Sequence, residues 1–253
     1  MTGSPYLSDR AVGIIPARLH STRLPRKPLI DICGLPMILH VYRRCSLAKS
    51  LRDVFVATDS NEIRDIVQGA GGKVIMTRAD HETGTDRIAE AARHIDCDII
   101  ANIQGDEALV NPLHIDHIVN TMKRDPAVNC AMLVCPLKET NVASHIKVVL
   151  NNNNDVMYLS RSDIPSSART PSPKMLKAYH IIPFRKKFLL DYAGWPKGEL
   201  ERVEYNEYLR ILEKGHKIKA FFVESDAISV DTQQDLAYVR AAMQKDPFFS
   251  QYN

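Results

Sequence analysis

Four cations fall within ten residues near the start of the chain: Arg18, Arg23, Arg26 and Lys27, with the hydroxyls of Ser21 and Thr22 between them. Arginine offers a planar two-pronged donor and lysine a compact charge. Together with backbone N–H groups they suit a ligand carrying several negative charges, such as a triphosphate. A run of charge is most often a solvated loop. This one follows the apolar run Ala11–Ala17 and precedes an apolar helical pattern, the place where binding loops belong. There is no GxxxxGK[ST], which excludes a standard P-loop, and no GxGxxG, which disfavours a dinucleotide-binding dehydrogenase.

Two distant carboxylates are the second candidates. Asp106 stands in QGDE after an apolar run, and Asp231 stands in SVDT before the last helical pattern. Magnesium takes one or two carboxylates plus phosphate oxygens and water, and Gly105 allows close approach of the chain. Asp106 capping a turn and Asp231 capping a helix that begins at Thr232 are equally open from these residues alone. Glu107 either supports Asp106 or faces solvent. His81, His94, His114, His117, His145 and His216 have no metal-ligand spacing and read as structural or surface histidines. No Ser-His-Asp arrangement is evident. Cys33, Cys45, Cys97, Cys130 and Cys135 are odd in number with no CxxC pair, so free thiols in a reducing cytoplasm are expected.

These residues need a scaffold. Strand patterns at Ala11–Ala17, Asp53–Ala57, Lys73–Met76 and Asp98–Ile103 alternate with helical patterns at Pro36–Leu47, Asn61–Gln68 and a stretch capped by Thr83 or Thr85 that runs to His94. Alternation with short links predicts an α/β fold: a mostly parallel sheet with helices on both faces and ligands beyond the strands' carboxyl ends. Further along, the pattern predicts a helix over Pro112–Lys123, a strand over Cys130–Cys135, and a hairpin of Ile146–Leu150 and Val156–Ser160 turned by NNNND. A strand over Ala178–Phe184, a helix over Glu201–Gly215, a strand over Lys217–Val223 and a helix over Thr232–Met243 follow. Residues 1 to 10 read as a loose lead-in, and 165 to 174, rich in Pro and Ser, as a mobile loop. No clean linker appears. The expectation is one domain over 1–253, with the second half inserted into one sheet.

Composition narrows the class. In 253 residues, 45% are hydrophobic and 25% charged, an ordinary globular balance that argues against disorder. A net charge of +3 with 7% scattered aromatics ranks nucleic-acid binding last. No signal-peptide core and no window of about 18 apolar residues is present, so no membrane partner is expected.

The order of blocks carries a resemblance. PARLHSTRLPRKPL at the first loop resembles the nucleotide signature of the CMP-Kdo synthetases, the bacterial 3-deoxy-manno-octulosonate (Kdo) cytidylyltransferases. The likeness continues through VATDS (56–60), GGKVIMTRADHETGTDRIAEA (71–91), NIQGDE (102–107), IKVVL (146–150), YLSRSDIP (158–165) and VDTxxDL (230–236). It implies a CTP- and Mg²⁺-dependent cytidylyltransferase of lipopolysaccharide biosynthesis that works as a homodimer, with roughly 1–110 as the CTP-binding half and 111–253, a smaller α+β subdomain, as the acceptor-binding and dimerisation half. It implies Arg18, Ser21, Arg23, Lys27, Arg78, Gly84, Thr85 and Gln104 at the nucleotide. Asp106 and Asp231 are implied on the metal, with Lys27 beside them in catalysis.

For the sugar acid, the resemblance implies Arg161, Glu204 and Glu207, with His180 and Tyr208 as replacement contacts. The chain departs from the family there. A family histidine falls on Ala178, a glycine on His180, a tyrosine on Ile182 and a glutamine on Tyr208; Ser229 replaces a glycine, Ala108 a proline and Arg26 a glycine. A pocket built for hydroxyl groups discriminates strongly, so amino-Kdo, a nonulosonate or another small acid stands as the alternative acceptor. A catalytically silent nucleotide-binding module is the other alternative, disfavoured because both aspartates and Lys27 are kept.

Overall fold

The computed structural model describes residues 10–21, 23–169, 174–225 and 228–253. The expected lead-in at 1–9, Thr22 and 170–173 of the Pro- and Ser-rich stretch lie outside the described residues.

The first half holds β1 (Ala11–Ala17), the short pair β2 (Asp31–Ile32) and β3 (Leu35–Pro36), α1 (Met37–Ser46), β4 (Asp53–Thr58), α2 (Asn61–Gly69), β5 (Lys73–Met76), α3 (Gly84–Ala92) and β6 (Ile99–Ile103). Then come α4 (Pro112–Arg124), β7 (Ala131–Pro136), β8 (Lys147–Leu150), β9 (Val156–Ser160), β10 (Leu176–Tyr179) and β11 (Ile181–Arg185). The chain finishes with α5 (Lys186–Ala193), α6 (Glu199–Glu204), α7 (Leu209–Glu213), β12 (Lys219–Phe222) and α8 (Gln233–Met243).

Two five-stranded sheets result. The first has the order β11-β6-β1-β4-β5 and is parallel except for β11, which runs antiparallel to β6. All seven residues of β1 are buried, as expected of a strand covered on both faces. Its alternation sorts the core: Val12 and Ile14 pack with Ile88 and Ala92 of α3. Ala11, Ile15 and Ala17 pack with Ile38 and Val41 of α1 and Ile118 of α4. The second sheet, β12-β7-β10-β8-β9, is antiparallel apart from the parallel pair β12–β7.

Two expectations are corrected. The strand over Ala178–Phe184 is two strands in different sheets, β10 and β11, with His180 between them. The apolar run is continuous because both strands are buried, so hydrophobicity alone hides the crossing. The helix over Glu201–Gly215 is broken: Tyr205 turns left-handed at φ 52°, Asn206 Oδ1 accepts from Tyr208 N at 3.1 Å, and α7 starts afresh. The break brings Arg210 back onto Glu201 in two bonds of 2.8 and 2.6 Å. The helix α3 also stops at Ala92, not at His94. The β2–β3 turn, with Cys33 and Gly34 at positive φ, and helix α5 were not foreseen.

Candidate active site

The carboxyl ends of β1 and β6 open on one side of the first sheet. The loop after β1 folds into a 3-10 turn over Lys27–Leu29. The loop after β6 carries Gln104, Gly105 and Asp106. A Cβ at Gly105 would stand 2.8 Å from the Pro16 carbonyl oxygen, so only glycine lets the two loops come this close. Lys27 Nζ donates to Asp106 Oδ2 at 2.6 Å and to Asp231 Oδ1 at 2.9 Å. Arg23 Nη2 lies 3.0 Å from the same Asp231 oxygen. Residues more than two hundred positions apart thus meet at one point. Burial works to lower the Lys27 pKa, but Asp106 and Asp231 outweigh it and hold the ammonium above its ordinary value.

Asp231 does not cap α8. Thr232 does, accepting from Asp235 N at 3.1 Å while the Asp235 carboxylate accepts from the Thr232 and Asp231 backbone N–H groups. The Asp231 carboxylate is thereby left to face Lys27. Two aspartates converging on one point are hard oxygen donors of the kind that could hold Mg²⁺.

A cleft of about 280 Å³ lies over this point, bordered by Arg18, Ser21, Arg23, Lys27, Gly84 and Gln104. Gly84 opens α3 under Pro16, where a Cβ would meet the proline ring at 3.2 Å. Two expected nucleotide contacts are elsewhere. Arg78 borders an adjoining cavity with Asp80 and Glu90, which shares His81 and Glu82 with the cleft. Thr85 is fully buried, its hydroxyl accepting from Asn102 Nδ2 at 3.2 Å and its N–H donating to Glu207 Oε2 at 3.3 Å. Arg26 takes the left-handed position that glycine favours, φ 56°, and pairs with Glu62 away from the cleft. His81, Glu82, Thr83 and Arg87 border the cleft without having been singled out for it. Their spacing on a loop and helix start carried no signal distinct from capping.

A second cleft of about 240 Å³ adjoins the first and shares Arg23, Gln104, Asp106 and Asp231 with it. His180, Ala178, Glu207, Tyr208 and Arg161 border it. Four of the positions where the chain departs from its resemblance, Ala178, His180, Tyr208 and Ser229, therefore border it. Ile182 does not; it is fully buried in the core between α3 and the second sheet. Tyr208 is 5% exposed, and its hydroxyl accepts from Asn102 Nδ2 at 3.2 Å. Burial pushes the Glu207 carboxyl above its ordinary range, against the hydrogen bonds from Thr83 and Thr85. Arg161 spends Nε, Nη1 and Nη2 on the carbonyls of Glu204, Ala143 and Tyr205. Glu204 does not border the cleft. Its carboxylate accepts from Ser160 Oγ at 2.7 Å, Arg161 N at 2.9 Å and Tyr158 Oη at 3.4 Å, tying α6 to β9.

The comparisons with known proteins agree with this geometry. The sequence pattern of the cytidylyltransferase family matches residues 12–218. An 8-amino-3,8-dideoxy-manno-octulosonate cytidylyltransferase of Shewanella piezotolerans is 40% identical over 240 residues, covering 92% of this chain and 98% of its own. A 3-deoxy-manno-octulosonate cytidylyltransferase of Escherichia coli is 40% identical over 240 residues, covering 94% and 98%. The solved structure of a CMP:2-keto-3-deoxy-manno-octonic acid synthetase complexed with CTP superposes with a TM-score of 0.89 at 40% identity, covering 93% of this chain and 99% of that one. Identity of this extent along nearly the full length of each relative places the chain in the CMP-Kdo synthetase family of cytidylyltransferases.

Proposed function

We propose that the protein couples CMP from CTP to an acidic sugar of the Kdo class and releases pyrophosphate. The observation that carries this is the meeting of Lys27, Asp106 and Asp231 on the border shared by two clefts. One cleft is lined by cations suited to a triphosphate. The other is of a size for a small sugar acid. A hydroxyl in the second cleft then has the α-phosphorus of a nucleotide in the first within its line of approach. Arg18, Arg23 and Lys27 face the phosphates, and Lys27 balances the two aspartates in the absence of ligand. Asp106 and Asp231 would hold Mg²⁺, which, when bound, offsets charge on the phosphates and on the leaving pyrophosphate. The chain's own part is to position the reactants and keep fixed charge around them.

Residues 1–110 serve as the CTP half and 111–253 as the acceptor half. This division is supported by the first cleft drawing all but Asp231 from residues up to 106. Glu207, Tyr208, His180 and Arg161 form the acceptor wall, with Glu204 supporting it from behind. The altered wall at Ala178, His180 and Tyr208 favours an acid related to Kdo but distinct from it, the 8-amino acid of one relative or a nonulosonate. Two copies pair through the second half, where Met157 of β9 and Val203 and Tyr205 around α6 are 60%, 74% and 85% exposed. Free thiols at all five cysteines fit a cytoplasmic place, and among the described residues no helix is long and apolar enough to cross a membrane. Pyrophosphate release from CTP with a panel of Kdo, 8-amino-Kdo and nonulosonates tests the reading. Release with at least one of these acids and Mg²⁺ is expected; tight CTP binding with no release under any of them would establish a silent module instead.

A further inference from the structure

One buried acid beside the site has no part in the reaction as described. Glu107 follows Asp106 but turns into the protein and is 2% exposed. Its Oε1 accepts from Ser229 Oγ at 2.5 Å and lies 3.4 Å from His180 Nδ1. Its Oε2 has no hydrogen-bond partner among the described residues. A carboxylate is costly to bury unless it is paired. Here the pairing comes from two side chains at positions where the resemblance carries glycine, 229 and 180, so the two departures form one constellation.

His180 is the residue between β10 and β11, where the chain crosses from the second sheet to the first. Its carbonyl accepts from Gln104 N at 3.5 Å, which ties it to the loop carrying Asp106. The ring is one-quarter exposed and borders the acceptor cleft. An ionised carboxylate only accepts, so Nδ1 carries the proton in the bond to Glu107. The opposite ring nitrogen, Nε2, has no partner among the described residues.

An acceptor acid brings a carboxylate into a cleft already bordered by Asp106, Asp231 and Glu207, so it needs a donor there. Three bordering side chains can carry positive charge. Arg161 places each of its three nitrogens on a backbone carbonyl, and Arg23 pairs with Asp231. Arg23 also borders the nucleotide cleft and belongs to its basic loop, which leaves His180 Nε2 as the donor on the acceptor side. Resting on the reading of this cleft as the acceptor site, we propose that Glu107, Ser229 and His180 work as one unit, in which the buried carboxylate fixes the imidazole so that Nε2–H binds the carboxylate of the acceptor. His180 touches the substrate; Glu107 and Ser229 are positioning residues.

The test measures pyrophosphate release at saturating CTP and Mg²⁺ with Kdo and with 8-amino-3,8-dideoxy-manno-octulosonate. For whichever acid the protein accepts, His180→Ala and Glu107→Gln should each raise the acceptor KM about tenfold or more. The KM for CTP should stay within about twofold, and the double variant should be no worse than the worse single, as for residues acting through one contact. Ser229→Gly keeps both members of the ion pair and should give a smaller rise, which secures the test should Glu107→Gln not fold. Long-range ¹H–¹⁵N spectra with the acceptor bound should show His180 protonated at both ring nitrogens, and this signature should be lost in Glu107→Gln. An unchanged acceptor KM in His180→Ala, or a CTP KM that rises alongside it, overturns the proposal. Release by the unaltered protein with unchanged KM values in the variants removes this inference alone; no release with either acid removes the acceptor reading on which it rests.

Discussion

At the scale of single residues, Lys27 is the pivot. It is the one ammonium between two carboxylates that stand 125 positions apart, Asp106 and Asp231, and its removal leaves two like charges facing each other. Lys27→Met should therefore lower kcat/KM by about 10²–10³ in a pyrophosphate-release assay, while a change under about threefold would place the lysine outside the reaction. The meeting of Lys27, Asp106 and Asp231 was legible because each follows a strand or precedes a helix, and a binding site at strand ends is a property of the fold class. The capping alternative for Asp231 was not decidable from sequence, since Asp231 and Thr232 are both good caps; the geometry gives that work to Thr232. The Glu107 contacts were illegible for another reason. Its partners lie 73 and 122 residues away, and no local pattern announces such a pairing. Arg78 does not border the first cleft and lies by Asp80 and Glu90; a cation after a strand gives no sign in the sequence of which way it turns.

At the scale of elements, the break between α6 and α7 matters most. Glu201, Glu204 and Glu207 recur at the three-residue spacing of a helix face, so an unbroken helix was the natural reading. Tertiary contacts prevail over that pattern. Glu204 goes to β9, Glu207 meets the first turn of α3, and Glu201 pairs with Arg210 across the break. Arg210 is 2% exposed and stacks over Tyr192 at 4.5 Å from the ring centre. Arg210→Ala leaves the buried Glu201 without its counter-charge, so urea unfolding should show a loss of about 3–5 kcal/mol. A loss below about 1 kcal/mol would mean that the break does not depend on this pair. The parallel sheet of the first half was read correctly because its strands are long, apolar and separated by amphipathic helices. The crossing at His180 was not, because both sides of it are equally buried.

At the scale of the whole molecule, the chain passes from one sheet to the other between β10 and β11, and the second cleft lies against that crossing at Ala178 and His180. The C-terminal segment closes the back of the first sheet. His40, fully buried in α1, faces the Ile32 carbonyl at 2.7 Å and the Tyr252 hydroxyl at 3.0 Å. Burial, with Arg44 and Arg43 nearby, holds its pKa below the ordinary 6.5, against the hydrogen bond to Ile32. A histidine depressed in the folded state takes up its proton more readily when unfolded. Its contribution is therefore complete above 6.5 and declines as the pH falls below that value toward the folded pKa. Urea unfolding at about pH 7.5 and about pH 5.5 should show a smaller acid-side loss in His40→Gln than in the unaltered protein; equal losses would show that His40 does not supply this sensitivity.

The account as a whole turns on whether two carboxylates 125 positions apart, Asp106 and Asp231, serve one nucleotide. The most direct measurement is pyrophosphate release from CTP by the Asp106→Asn, Asp231→Asn double variant with Mg²⁺ and an accepted sugar acid, beside a folding check by circular dichroism. A folded variant with a rate reduced by about 10³ or more is the predicted result. A folded variant that keeps its rate within about tenfold would contradict it.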